Sequence, residues 1–174
     1  MIELLPFTDE DIDRLVGWFP TPESLFVWTA TTFEHPLTRE QVKKFVDDSR
    51  QRGDRLFFKA VGPDGEVFGH IELGAIDRHH ASLRIGRVVV DPALRGRGLA
   101  AGMMRAAVEK SFRELEMHRV ELWVLEDNHS AIASYERVGF RREGVLRDVL
   151  KGPEGYRSGI VMSLLEQEWK QQKT

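Results

Sequence analysis

The chain has 174 residues, 41% of them apolar, and carries 25 Lys and Arg against 28 Asp and Glu for a formal charge of -3. That length suits a single domain over 1–174 able to bury about two-thirds of its unfolded surface, and the balanced charge excludes a global basic field that would recruit nucleic acid or an anionic membrane. The absence of cysteine excludes disulfides, thiolate catalysis and cysteine-based zinc sites.

Taken in chain order, "IELLPF" reads as an opening strand. Thr8 before "DEDIDRLVGW" offers an N-cap with acids in the first turn, and Ile12, Leu15 and Val16 share one helical face. The start lacks the basic region and long apolar core of a leader, and no stretch approaches the ~18 apolar residues that span a bilayer, so a cytoplasmic protein is expected. From Phe19 to Pro36 three prolines and a cluster of aromatics without a clean period predict an irregular or short-helical lid. Thr38 caps a second helix, "REQVKKFVDDSRQR", which Gly53 ends.

Beyond Asp54 the pattern changes to strands. "RLFFKAV" meets "EVFGHIELGAI" across "GPDG" as an antiparallel hairpin, and "ASLRIGRVVVD" supplies the next strand. A long helix starting at Leu99 and the strand "VELWVL" then imply a βαβ crossover. "NHSAIASYERVGF" is a short helix capped by Asn128 or Ser130 and stopped at Gly139, and a closing hairpin turns around "KGPEG". The architecture expected is α+β: a mixed, mostly antiparallel central sheet splayed at one parallel step, with helices on both faces.

The hinge "RGRGLA", Arg95 to Ala100, stands where a strand hands over to a helix N-terminus, with unpaired N–H groups and a positive dipole end. Such a place binds phosphate. Gly96 and Gly98 let backbone approach an anion, Ala100 and Ala101 keep the first turn open, and Arg95 and Arg97 can add donors. A plain strand-to-helix turn is the other reading. A Walker loop fails because no Gly-Lys-Ser/Thr follows. "GRGLAA" formally fits a dinucleotide fingerprint, but "DPALR" intervenes after the strand and too little chain follows for a doubly wound sheet.

Together, "RGRGLA" after "RVVVDP" and the downstream block "VELWVLEDNHSAIASYERVGF" resemble the two conserved blocks of the GNAT N-acetyltransferases, over roughly Phe58 to Leu164. The tail "EGVLRDVLKGPEGYRSGIVMSLLEQEW" is similar to the branch with spermidine and ribosomal-protein N-terminal acetyltransferases, where a homodimer is ordinary. The resemblance implies acetyl transfer from acetyl-CoA directly to an amine, with the hinge on the CoA pyrophosphate. It implies that Val88, Val89 and Val90, facing Leu122 to Leu125, hold the pantetheine arm. A backbone N–H around Val89 or Val90 would meet the developing oxyanion, with Leu99, Asn128 and Ala131 also against CoA. Tyr135 stands at the family's general-acid position.

For the base that frees the amine, Glu72 is the candidate, sharing a strand face with His70 by period-2 alternation. A carboxylate on a solvated face is the plainer reading. Glu34 is a second acid, better suited to attracting a cation. Trp28 and Phe33 either line an acceptor pocket or pack within the lid. His79 and His80 do not form a metal pair, and no metal is expected. Lys170 and Lys173 read as a solvated end. The acceptor is open between a small amine or polyamine and a protein N-terminus, with a CoA-binding scaffold lacking turnover as the rival.

Overall fold

The computed structural model describes residues 2–172. The chain begins with β1 (Glu3–Pro6), then α1 (Ile12–Val16), α2 (Pro22–Thr29) and α3 (Arg39–Arg52). Strands β2 (Arg55–Val61), β3 (Val67–Asp77) and β4 (Ser82–Val90) follow, then α4 (Leu99–Arg113), β5 (Arg119–Leu125), α5 (His129–Val138), β6 (Arg141–Gly152), β7 (Gly155–Leu165) and α6 (Glu166–Gln171). The strands form one sheet in the order β1-β2-β3-β4-β5-β7-β6, antiparallel everywhere except between β4 and β5.

The caps explain where the helices start. Thr21 accepts from the Ser24 N–H before a proline that opens α2, so of the two forms expected for the lid this part is short-helical, and Thr38 accepts from the Gln41 N–H to start α3. At the first turn the arrangement differs from a simple threonine cap. The Thr8 hydroxyl and N–H both donate to the Asp11 carboxylate, and Asp11, nearly buried, is held in turn by Lys59 at 3.0 Å. Gly53 ends α3 in the left-handed conformation at φ +67.

Two apolar clusters flank the sheet. On one face Ile12, Leu15, Trp18, Leu25, Val42 and Val46 from α1, α2, α3 and their connections pack on Phe57 and Val89. On the other, Met103, Met104, Ala107 and Phe112 of α4 with Ile132 of α5 and Trp169 of α6 cover the remaining strands. Each large side chain fully buried here contributes about 1.5–3 kcal/mol. Lys170 is solvated as expected, pairing with Glu166 at the surface of α6, while the adjacent Trp169 packs 5.3 Å from the Phe112 ring and Lys173 lies outside the described residues.

Two departures from regular pairing matter for function. In β4, Gly86 pairs with Glu72 and Val89 with His70, so three steps on β4 oppose two on β3. Arg87, in this extra step, adopts φ +46. Secondly, the parallel ladder joins Ser82 through Ile85 to Arg119 through Leu122 and goes no further. Beyond it β4 and β5 part, each still held on its outer side by β3 and β7. At the far edge, β6 pairs with β7 but breaks register between Arg142 and Gly144 and between Leu146 and Leu150, with Asp148 at φ +51.

Candidate active site

Where β4 and β5 part, a cleft of about 1000 Å³ opens, lined by Val88 to Val90, by Leu122 to Leu125, and at one end by Trp28 and Phe19 of the lid region. At its other end Arg95, Gly96, Gly98, Leu99 and Ala100 form the wall, joined by Asn128, Ala131 and Tyr135. The structure thus brings the sequence candidates from both motif blocks to one cavity. Arg97 is the exception, since it is not part of the lining. Arg105 of α4 and Arg137 of α5 line the cleft instead. Both lie inside helical runs, where a single basic residue reads as solvated surface.

Gly98 is the N-cap of α4 at φ +75 and makes no side-chain capping bond, and Gly96 has φ +79. Nothing lies within 4 Å of where a Cβ would stand at either glycine. The fifteen-residue α4 therefore opens with uncapped N–H groups facing free space, beside Arg95, and this suits a phosphate. By contrast α5 is capped, its Asn128 Oδ1 accepting from Ala131 N–H and from the Ser130 hydroxyl, both at 3.3 Å.

On β4, strand alternation sorts the backbone. A Cβ at Gly69 would sit 2.8 Å from the Val89 carbonyl oxygen, and Asp91 N–H donates to Phe68, so residues 89 and 91 turn their polar groups toward β3. Val88 and Val90 then turn theirs to the cleft, in line with the Arg95 Nε bond to the Val90 carbonyl at 3.4 Å. Of the two N–H groups considered from the sequence, that of Val90 faces the opening and that of Val89 is turned into the sheet.

Tyr135 is half-buried on the cleft wall, 6.3 Å from the Phe140 ring, and burial pushes its phenol up to about 12. It therefore stays protonated at neutral pH.

Glu72 is placed differently from the expectation that it could face the cleft. It is 2% exposed and lies outside the cleft lining. Arg55 Nη1 and Arg87 Nη1 both donate to Oε2 at 2.9 Å, and His70 Nε2 lies 3.3 Å from Oε1. Burial pushes the carboxyl up, but the His70 hydrogen bond and the charges of Arg87 and Arg55 outweigh it and hold it below the usual range. A carboxylate so engaged is a weak proton acceptor. The two arginines were the residues missed, although an acid inside the apolar run "HIEL" already demands buried cations nearby. Gly74, opposite Arg55 in the β2–β3 register, leaves the room that guanidinium occupies, since a Cβ there would meet Arg55 Nη1 at 2.6 Å.

Trp28 packs within the lid and also reaches the cleft. It stacks on Phe19 with centroids 4.3 Å apart and lies near Phe33, and it lines the cleft. Glu34 is exposed outside the lining, its backbone tied to the Gln41 side chain. His79 and His80 stand on the β3–β4 turn, and among the described residues no group of His, Asp and Glu is placed to hold a metal ion. No described helix is long and apolar enough to cross a membrane.

Comparison with known proteins agrees with this geometry. The profile of the acetyltransferase (GNAT) family matches residues 22–140. Spermidine N(1)-acetyltransferase of Escherichia coli (strain K12) is 26% identical over 161 residues, covering 92% of this chain and 78% of that protein. The prophage-derived uncharacterized N-acetyltransferase YokL of Bacillus subtilis (strain 168) is 28% identical over 134 residues, 77% of this chain and 75% of that one. Among solved structures, spermidine N-acetyltransferase from Vibrio cholerae in complex with CoA and spermine superimposes with a TM-score of 0.85 at 20% identity, over 97% of this chain and 98% of that one. This chain belongs to the GNAT family of N-acetyltransferases, which draw their acetyl group from acetyl-CoA.

Proposed function

We propose that this chain, acting as a single N-acetyltransferase domain, transfers acetyl from acetyl-CoA directly to a primary amine in the cleft between β4 and β5. The observation that carries the reading is the early end of the parallel ladder at Ile85 and Leu122. It leaves cleft-facing backbone groups on Val88 and Val90 that no neighbouring strand uses. These would hold an extended pantetheine arm as an extra strand, while the uncapped start of α4 with Gly96, Gly98, Arg95 and Arg105 would take the pyrophosphate.

In the transfer, the amine nitrogen forms a bond to the thioester carbonyl carbon as the carbon–sulfur bond breaks. The Val90 N–H is oriented to stabilise the oxygen on which negative charge develops. Tyr135 supplies a proton to the departing sulfur, and the amine gives up one to solvent. A phenol raised to about 12 is a reluctant acid toward bulk thiolate, but the same apolar wall raises the thiol that forms beside it. No carboxylate or imidazole lines the cleft among the described residues. The amine enters in its neutral, attacking form from solvent, and the proton removal first assigned to Glu72 falls to water. Glu72 acts as a positioning residue that keeps the two guanidinium groups in place.

The test is release of free thiol from acetyl-CoA by the purified protein with a broad panel of primary amines. Acetyl-CoA binding without thiol release from any amine would overturn the enzymatic reading in favour of a CoA-binding scaffold.

A further inference from the structure

The acceptor end of the cleft has an unbalanced charge. Arg55 and Arg87 share a single carboxylate, Glu72, through the same oxygen, so two guanidinium charges meet one negative charge. Arg84, also in the lining, already has its own partner in Glu121 at 2.6 Å and lies 4.1 Å over the Trp123 ring. No Asp or Glu lines the cleft among the described residues. Glu23 and Asp127 both pair with Arg157, and neither lines the cleft.

A second observation, independent of charge, points the same way. The buried side-chain atoms without a hydrogen-bond partner include Trp28 Nε1, Arg55 Nε and Arg87 Nε. All three belong to cleft-lining residues, and all three are N–H donors on side chains that have no acceptor atom. A second ammonium group, as in a polyamine, would add a donor where acceptors are lacking and a positive charge where one is already in excess. A carboxylate, with two acceptor oxygens and a negative charge, answers both deficits.

We infer that the acceptor is a primary amine carrying a carboxylate a few bonds from its nitrogen, bound with that carboxylate against Arg55 and Arg87 beside Trp28. This assignment rests on the amine-acetyltransferase reading above. Phe19 stacks on Trp28, and Val149 and Leu150 also line the cleft, so an apolar side chain on the acceptor is accommodated. The shared chemistry could be presented by a free amino acid or by a peptide whose N-terminal residue is followed by an acid.

The experiment measures kcat/KM by thiol release with the wild-type chain and matched acceptors. L-phenylalanine is compared with L-phenylalaninamide, Ala-Asp-Phe amide with Ala-Asn-Phe amide, and spermidine stands alone. The carboxylate member of at least one pair should be favoured by about tenfold or more, the scale of one charge-assisted contact, and which pair responds identifies the source. The amide amine is the more easily deprotonated, so intrinsic reactivity runs against the expected order. Equal use of both members in each pair, or preference for spermidine, overturns the acceptor assignment alone. No thiol release with any acceptor overturns the reaction itself, and the assignment with it. In Arg55→Met and Arg87→Met the preference for the carboxylate member should shrink by about tenfold. A loss of folding would instead lower both members of a pair alike, and an unchanged ratio in a folded variant counts against the proposal, while the wild-type comparison needs no variant.

Discussion

Glu72 has no solvent to share its charge with, and both arginines that touch it depend on it. Replacing it with glutamine leaves two largely buried guanidinium groups without their counterion. Glu72→Gln should therefore cost about 3 kcal/mol of stability and lower Tm by roughly 6–12 °C, at about 2–4 °C per kcal/mol for a chain of this size. Because its folded pKa is depressed below the ordinary 4.5, the contribution is complete above that value and is lost as pH falls through the lower folded value. The difference in stability between wild type and variant, followed by denaturant titration, should stay constant at neutral pH and narrow only below about pH 4.5. Tyr135 is the opposite case, a group that burial keeps protonated. Tyr135→Phe should reduce kcat on the order of 100-fold with little change in KM for acetyl-CoA, and unchanged turnover would remove the hydroxyl from the chemistry. Alternation along "GHIEL" was enough to put His70 and Glu72 on one face, and they do meet at 3.3 Å. What it could not tell is that the face is covered, because the cover comes from Trp28, in a stretch without a period, and from Phe7, far away in sequence, and both of these rings pack on His70.

At the level of elements, the start of α4 is left without a cap, as the proposed pyrophosphate site requires. The helices α2, α3 and α5 all begin with a side-chain cap, whereas α4 begins at a left-handed glycine with none. Gly98→Ala should cost on the order of 1 kcal/mol in folding for placing a Cβ at φ +75, and should raise KM for acetyl-CoA by more than that stability loss alone suggests. Steady-state kinetics beside thermal unfolding separates the two effects. The order of strands and helices was legible because each change of period coincides with a cap or a turn, as at Thr38, Gly53 and the "GPDG" turn. The extra step at Arg87 was not, since "RIGRVVV" reads as an uninterrupted strand and a bulge adds one residue without altering composition. Yet that step, together with the end of the β4–β5 ladder, determines which carbonyls and N–H groups reach the cleft.

For the molecule as a whole, the cleft lies between the two apolar clusters, with one wall drawn from each side of the sheet. A ligand filling it would tie the lid side to the α4 side, so binding and global stability should be linked. Acetyl-CoA at about 100 times its Kd should add about 2.7 kcal/mol, a rise in Tm of roughly 5–10 °C, while NAD should give none. Equal stabilisation by NAD would revive the dinucleotide reading of "GRGLAA". The parallel step follows from the strand–helix–strand order, but the insertion of β7 between β5 and β6 and the packing of the lid follow from contacts between residues far apart in sequence, which no local pattern encodes.

The outer strand β6 has a further consequence for how the protein behaves at high concentration. A long strand at the rim of a sheet offers unpaired backbone to any other strand that meets it, and this is a route to aggregation. Here the rim carries Arg141, Arg142, Glu143, Arg147, Asp148 and Lys151, and its pairing is broken twice, with Asp148 turned to φ +51. No long flat run of backbone is presented, and charges of both signs stand along it. The hairpin can therefore lend Val149 and Leu150 to the cleft while its exposed edge remains a poor template for unwanted strand addition.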